Sequence, residues 1–276
     1  MGFPKKSGWA ACMLVLLLGV LMVWAPDTAS ASIDALWPEQ GSNVLTDKDL
    51  VVDASHSDQG YVMVAFGSTT KKKLKVRVSL GKQQLDYNIG GDGEYVVLPL
   101  QLGEGKYDIA LYENVSGKKY AAGGKVTVSV SLSSANIPFL YPNQYVDYNL
   151  STPCVMKSDE LIHSDMTEQQ KYDEIAAFMA QNFSYDFAKA KKVGAGELPS
   201  VTDAFENKEG ICQDLAAIMV TMLRVQGIPA KMMIGYADKY YHSWTVAVIN
   251  GQEVFLDPTH EIGAINAKTY KVERFY

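Results

Sequence analysis

The dipeptide Asn250-Gly251 constrains this chain more tightly than any other local feature. It suits a two-residue turn in which both central residues take positive φ. It stands between two strand-like runs, His242-Ser243-Trp244-Thr245-Val246-Ala247-Val248-Ile249 and Gln252-Glu253-Val254-Phe255-Leu256-Asp257. With Asn250 and Gly251 as the loop, Ile249 faces Gln252, Trp244 faces Asp257 and His242 faces Thr259. Side chains alternate along a strand, so His242, Trp244, Asp257 and Thr259 project from one face. His242 and Asp257 then become diagonal cross-strand neighbours, about 7–8 Å apart at the backbone and within reach of each other. A carboxylate bonded to one imidazole nitrogen fixes the tautomer and leaves the other nitrogen for a nucleophile. Lys231 to Tyr236, just upstream, reads as a further strand.

A nucleophile candidate lies thirty residues before the histidine, by direct count along the chain, in Gly210-Ile211-Cys212-Gln213-Asp214. The spacing predicts a helix from Ile211 to Gln226, with Cys212, Leu215, Ala216, Met219, Met222 and Leu223 on one buried face. Gly227 and then Pro229 mark its end. Cys212 falls in the first turn, where unpaired N–H groups and the helix dipole favour a negative charge, the setting of reactive thiolates. A structural role is the alternative, since free cysteine is among the most buried residue types. Asp214, next in line, either steadies the first turn or contacts substrate.

Composition narrows the function classes. Of 276 residues, 47% are hydrophobic and 20% charged, which fits a globular protein of one or two domains and not a disordered one. A net charge of −6 gives no basic footprint for nucleic acid. The four histidines (His56, His163, His242, His260) are scattered, without zinc-ligand spacing, and no acidic loop has calcium-ligand spacing. No metal and no cofactor is expected. Cys12 lies in an N-terminal segment with Lys5 and Lys6, an apolar run from Trp9 to Trp24 and Ala29-Ser30-Ala31. These are the parts of a secretory signal peptide, expected at 1–31 with cleavage after Ala31; an uncleaved anchor is the runner-up. Cys154 and Cys212 remain, and a disulfide between them would remove the nucleophile.

Residues 44–133 alternate in short strand-like runs: Leu50 to Val52, Tyr61 to Phe66, Leu74 to Leu80, Gln84 to Ile89, Tyr95 to Leu100, Tyr107 to Tyr112 and Lys125 to Leu132. Lys73, Lys75, Arg77 and Ser79 interleave with Leu74, Val76, Val78 and Leu80, giving one wet and one buried face. Gly90-Gly91-Asp92-Gly93 and Gly103-Glu104-Gly105 read as turns. Seven short strands suggest an antiparallel, immunoglobulin-like β-sandwich. Ser133 to Pro138 reads as a linker to a second domain at 136–276. Tyr141, Tyr145 and Tyr148 then pack an irregular stretch or line a cleft. Thr167-Glu168-Gln169-Gln170 forms a capping box for a helix with Tyr172, Ile175, Ala176, Met179 and Phe183 on one face. Val201 to Asn207 adds a helical turn.

Taken together, these residues resemble the transglutaminase-like superfamily, a papain-like branch of cysteine enzymes. The resemblance runs through Asn182-Phe183-Ser184-Tyr185-Asp186, Gly210-Ile211-Cys212, Leu223 to Lys231, Gly235-Tyr236, His242-Ser243-Trp244 and Asp257-Pro258-Thr259. It covers roughly Asn136 to Tyr276 and departs at Lys231, where many relatives carry arginine. It implies an α+β fold with a helix packed on an antiparallel sheet, and a triad of Cys212 as nucleophile, His242 as base and Asp257 as orienter. The expected function is an extracytoplasmic cysteine enzyme acting on amide or peptide bonds through a thioester, with hydrolysis favoured. Its partner would be a protein or peptide substrate, a cell-wall peptide among them. Glutamine–lysine crosslinking and a catalytically inactive peptide- or wall-binding module are the alternatives.

Overall fold

A computed structural model describes residues 35–194 and 196–276. The expected export signal at 1–31 lies outside the described residues. Among the described residues no helix is long and apolar enough to cross a membrane.

The first region is all β: β1 (Val44–Asp47), β2 (Leu50–Asp53), β3 (Tyr61–Phe66), β4 (Leu74–Leu80), β5 (Gln83–Ile89), β6 (Val96–Pro99), β7 (Gly105–Ser116) and β8 (Lys119–Val130). They form two four-stranded antiparallel sheets, ordered β1-β2-β3-β6 and β5-β4-β7-β8. The alternation in β4 works as expected: Leu74, Val76 and Val78 are buried while Lys75 and Arg77 reach the wet face. Arg77 there grips Asp86 on β5 at 2.7 and 2.9 Å. β1 is an extra strand, missed because its Val44-Leu45-Thr46-Asp47 has no buried side to pattern. β7 and β8 run longer than their apolar alternation. Main-chain pairing continues past the last buried side chains, through irregularities at Leu111/Tyr112 and Asn114/Ser116. At the corner before β7, the buried Tyr107 hydroxyl accepts the Leu102 N–H at 2.9 Å and lies 2.7 Å from the Gly103 carbonyl, to which it donates.

The second region is mixed. In order come α1 (Pro153–Leu161), α2 (Glu168–Asn182), β9 (Ser184–Tyr185), α3 (Phe187–Ala190), α4 (Val201–Asn207), β10 (Glu209–Gly210), α5 (Cys212–Arg224), β11 (Ala230–Ala237), β12 (Tyr240–Ile249), β13 (Gln252–Leu256), α6 (Pro258–Glu261) and β14 (Tyr270–Phe275). The main sheet is antiparallel with order β13-β12-β11-β14. The capping box at Thr167 and Gln170 opens α2 as expected. Helix α5 departs from the single buried face expected of it. Every residue from Asp214 to Arg224 is buried, because β11 and β12 cover one side and α1, α2 and α4 the other. Burying each large apolar side chain there contributes about 1.5–3 kcal/mol.

Helix α1 and strand β14 are among the elements that escape the sequence pattern. Helix α1 is short and starts at Pro153; it is held by burial of Cys154 and Val155 and by the Ser158 hydroxyl on the Met222 carbonyl at 2.9 Å. Strand β14 is mostly exposed and charged, and pairs with β11 across a bulge at Ile234/Gly235. A Cβ on Gly235 would sit 2.0 Å from the Lys271 carbonyl oxygen, so only glycine fits.

The expected linker is no loose tether. Both regions share one apolar core. Gln101 donates to the Phe275 carbonyl, Gln144 clamps the Asn88 main chain at 3.1 and 2.8 Å, and Tyr145 stacks on Tyr276 at 3.7 Å. Arg224, fully buried at the end of α5, donates to the carbonyls of Tyr141 (2.5 Å) and Ala230 (2.9 Å). Burial pulls its pKa down to about 10, with the nearby Tyr148 and Tyr87 working the other way. Tyr141 and Tyr148 are buried packing residues.

Candidate active site

The β12–β13 hairpin has the register its turn chemistry requires. Asn250 and Gly251 take φ of 51° and 78°, and pairing runs from Ile249↔Gln252 to Thr245↔Leu256. One step further, His242 and Asp257 meet: His242 Nε2 lies 2.8 Å from Asp257 Oδ2, and both residues are buried. With Nε2 donating to the carboxylate, Nδ1 is the nitrogen left for another partner.

Asp257 is held on every side. Its Oδ1 accepts the N–H groups of Thr259 (2.9 Å) and His260 (3.4 Å), capping α6, where Pro258 supplies the first position. Its Oδ2 also accepts the Tyr270 hydroxyl at 2.8 Å. Burial alone would push the carboxyl up. The bonds from His242, Tyr270 and Thr259 outweigh it and hold Asp257 below its ordinary value. His242 is the mirror case. Burial opposes the imidazolium, but Asp257 and then Cys212 lift its pKa to about 9. Trp244 closes over the pair: its ring stacks at 6.4 Å on His242 and edge-on at 5.1 Å against Tyr270. Packing and shielding are thus the same contact.

Cys212 is the first residue of α5 and is half-buried. Gly210 lets the chain enter closely, since a Cβ there would meet Cβ of Asp214 at 2.9 Å and of Ala204 at 3.1 Å. Asp214 is wholly buried and structural. Its Oδ2 accepts the Ile211 N–H (3.0 Å) and the Lys189 ammonium (2.7 Å), and its Oδ1 accepts the Ser200 N–H (2.9 Å). One carboxylate therefore ties the helix start to α3 and to the loop before α4, and its complete burial keeps it away from substrate.

Cys212 and His242 line one cleft of about 390 Å³, with Tyr145, Gln213, Tyr241 and Arg274 on its walls. Cys154 is on none of these walls. It is fully buried, burial pushes its thiol up to about 12, and both cysteines are free, so the bridge that would have silenced Cys212 is not made. Among the described residues no group of three or more His, Cys, Asp or Glu side chains could hold a metal ion.

Two site residues were not assigned from sequence. Tyr270 arrives on β14 after an irregular loop, and nothing local to it signals a partner. Tyr185 lies in β9, opposite Gly210 in the two-residue parallel bridge. Burial and then the adjacent Cys212 push its hydroxyl up to about 12. The only sequence trace of it was the Asn182 to Asp186 resemblance.

Residues 156–258 match the family model described as the transglutaminase-like superfamily. This part of the chain is transglutaminase-like. The match includes Cys212, His242 and Asp257 and ends before Tyr270. Among solved structures, a proposed cysteine protease from Cytophaga hutchinsonii is 16% identical, with 72% of this chain and 78% of that one covered and a TM-score of 0.38. The ethylmercury-bound periplasmic domain of TgpA from Pseudomonas aeruginosa is also 16% identical, with coverage of 82% and 78% and a TM-score of 0.34. No curated protein matches the chain. The likeness rests on the match over residues 156–258.

Proposed function

We propose that the chain is an extracytoplasmic cysteine enzyme in which Cys212, His242 and Asp257 cleave amide or peptide bonds through a thioester. One observation carries this reading. His242 is bonded to Asp257 through Nε2 and shares a cleft with the thiol that opens α5. The Cys212 sulfur attacks the carbonyl carbon, and the C–N bond breaks as the His242 imidazolium gives its proton to the leaving amine. The neutral imidazole then takes a proton from water, whose oxygen displaces the sulfur and releases the acid. The export signal in the sequence supports a location outside the cytoplasmic membrane. The order β2-β3-β6 against β5-β4-β7-β8, with the Tyr107 corner, supports an immunoglobulin-like sandwich at 44–133, ahead of the enzyme domain at 136–276.

The Cys212 backbone N–H at the helix start is one donor for the oxyanion. The Tyr185 hydroxyl, packed beside it, is our choice for the second. Tyr185→Phe should then lower kcat by about 10²-fold with little change in KM. An unchanged kcat would remove Tyr185 from the mechanism.

Hydrolysis is favoured over transfer because the cleft is open: Tyr241 on its rim is 52% exposed, and Arg274 is exposed as well. Incubation with a glutamine peptide and a fluorescent amine separates the two. Released acid without incorporated label is expected, whereas label in the peptide would make the chain a transamidase. The rate should fall as pH rises through about 9, where His242 loses the proton the leaving amine needs. Because that pKa is raised from 6.5, His242 also stabilises the fold fully below about pH 6.5, and that contribution fades toward pH 9.

A further inference from the structure

We propose that the cleft at Cys212 continues as a groove for an extended acidic peptide, past Arg274 and onto the Lys75 face of β4. The idea rests on reading Cys212 as the nucleophile and names the class of substrate it would receive. Three concavities lie end to end. The Cys212 cleft shares Tyr145, Gly196 and Arg274 with a groove of about 840 Å³ between β14 and the β4–β5 hairpin. That groove shares Lys75 and Asp86 with a third hollow of about 680 Å³. Each alone matches a small-molecule site; in line they suit a chain-like ligand.

The charges along this line are unevenly answered. Arg274 bonds the Tyr241 hydroxyl at 2.8 Å and, among the described residues, makes no ion pair. Lys75 leans over the Tyr120 ring at 5.2 Å, and neither it, Lys73 nor Lys118 meets a carboxylate among the described residues. Arg77 and Asp86 neutralise each other. The opposing acids are Glu273, beside Arg274, and Glu197, whose Oε2 accepts the Gly194 N–H at 3.1 Å. Four unpaired cations therefore face two carboxylates, on a chain whose net charge is −6. A concave strip of that sign concentrates anionic partners. Lys73 and Lys75 stand two residues apart, about 7 Å, the repeat at which an extended peptide presents alternate side chains. The amide chemistry assigned to Cys212 selects a peptide over other polyanions.

The test uses the full chain with Cys212→Ala, so that nothing turns over. A fluorescein-labelled peptide with Glu at alternate positions around a central Gln is titrated by anisotropy, beside the same peptide with Lys in place of Glu. The acidic peptide should bind, lose affinity steeply as salt is added, and lose about tenfold with either Arg274→Glu or Lys75→Glu. Arg274→Gln should fall between, and the salt dependence needs no change in the groove at all. Equal binding of the two peptides, salt-insensitive binding, or indifference to both charge reversals would overturn the proposal. Binding of labelled inorganic polyphosphate with no binding of the acidic peptide would overturn the peptide assignment. Iodoacetamide labelling of the unsubstituted chain reads the enzyme hypothesis separately. An inert thiol with intact acidic-peptide binding leaves the groove standing, and a reactive thiol with no such binding removes the groove alone.

Discussion

Asp257→Asn should lower kcat/KM by about 10³–10⁴-fold while the protein stays folded, as loss of the orienting carboxylate does in triads of this kind. The reason is the set of four donors around the carboxylate. His242 and Tyr270 point at Oδ2, and the N–H groups of Thr259 and His260 point at Oδ1. An asparagine has one acceptor oxygen and one NH₂, so one pair of donors must face another donor. The α6 cap is part of the backbone and holds the oxygen, which turns the NH₂ toward His242. Nε2 then becomes the acceptor, the ring proton moves to Nδ1, and the imidazole can no longer take a proton on its Cys212 side. Steady-state kinetics on a glutamine peptide, with circular dichroism as the control for folding, checks this. A loss smaller than about tenfold would mean that Asp257 serves α6 and not the reaction.

The second large effect concerns stability. Arg224→Ala should lower the free energy of unfolding by about 3–5 kcal/mol, from two buried carbonyls left unbonded and a cavity at the end of α5. Those carbonyls, Tyr141 and Ala230, belong to the segment after the β region and to β11, so one guanidinium pins α5 to both. Arg224→Met should lose less than Arg224→Ala, because it fills the space and removes a charge that burial already disfavours. Urea unfolding of the three proteins measures the order. An alanine variant within about 1 kcal/mol of the parent would show that the contacts carry little of the fold.

What could be read in advance follows from how local each determinant is. The β12–β13 register needed only a turn dipeptide and a period of two, and it brought His242 toward Asp257. The extent of α5 needed only helical spacing, with Gly227 and Pro229 to end it. Yet the all-round burial of α5, with Asp214, Thr221 and Arg224 inside, depends on α1, α2 and α4 closing from outside, which no window of sequence contains. Strand β14 carries Lys271, Glu273 and Arg274 on a partly exposed edge and shows no alternation. Its Tyr270 therefore gave no sign that it would reach Asp257. That Cys212 and His242 line one cleft is likewise a tertiary matter, which no local pattern contains.

Iodoacetamide alkylation of the folded chain, followed residue by residue by mass spectrometry as pH is varied, tests the thiol–imidazole pairing most directly. Cys212 should react rapidly near neutral pH and Cys154 hardly at all, and the Cys212 rate should drop sharply in His242→Ala. A Cys212 that reacts at the rate of a simple thiol, with or without His242, would contradict the account.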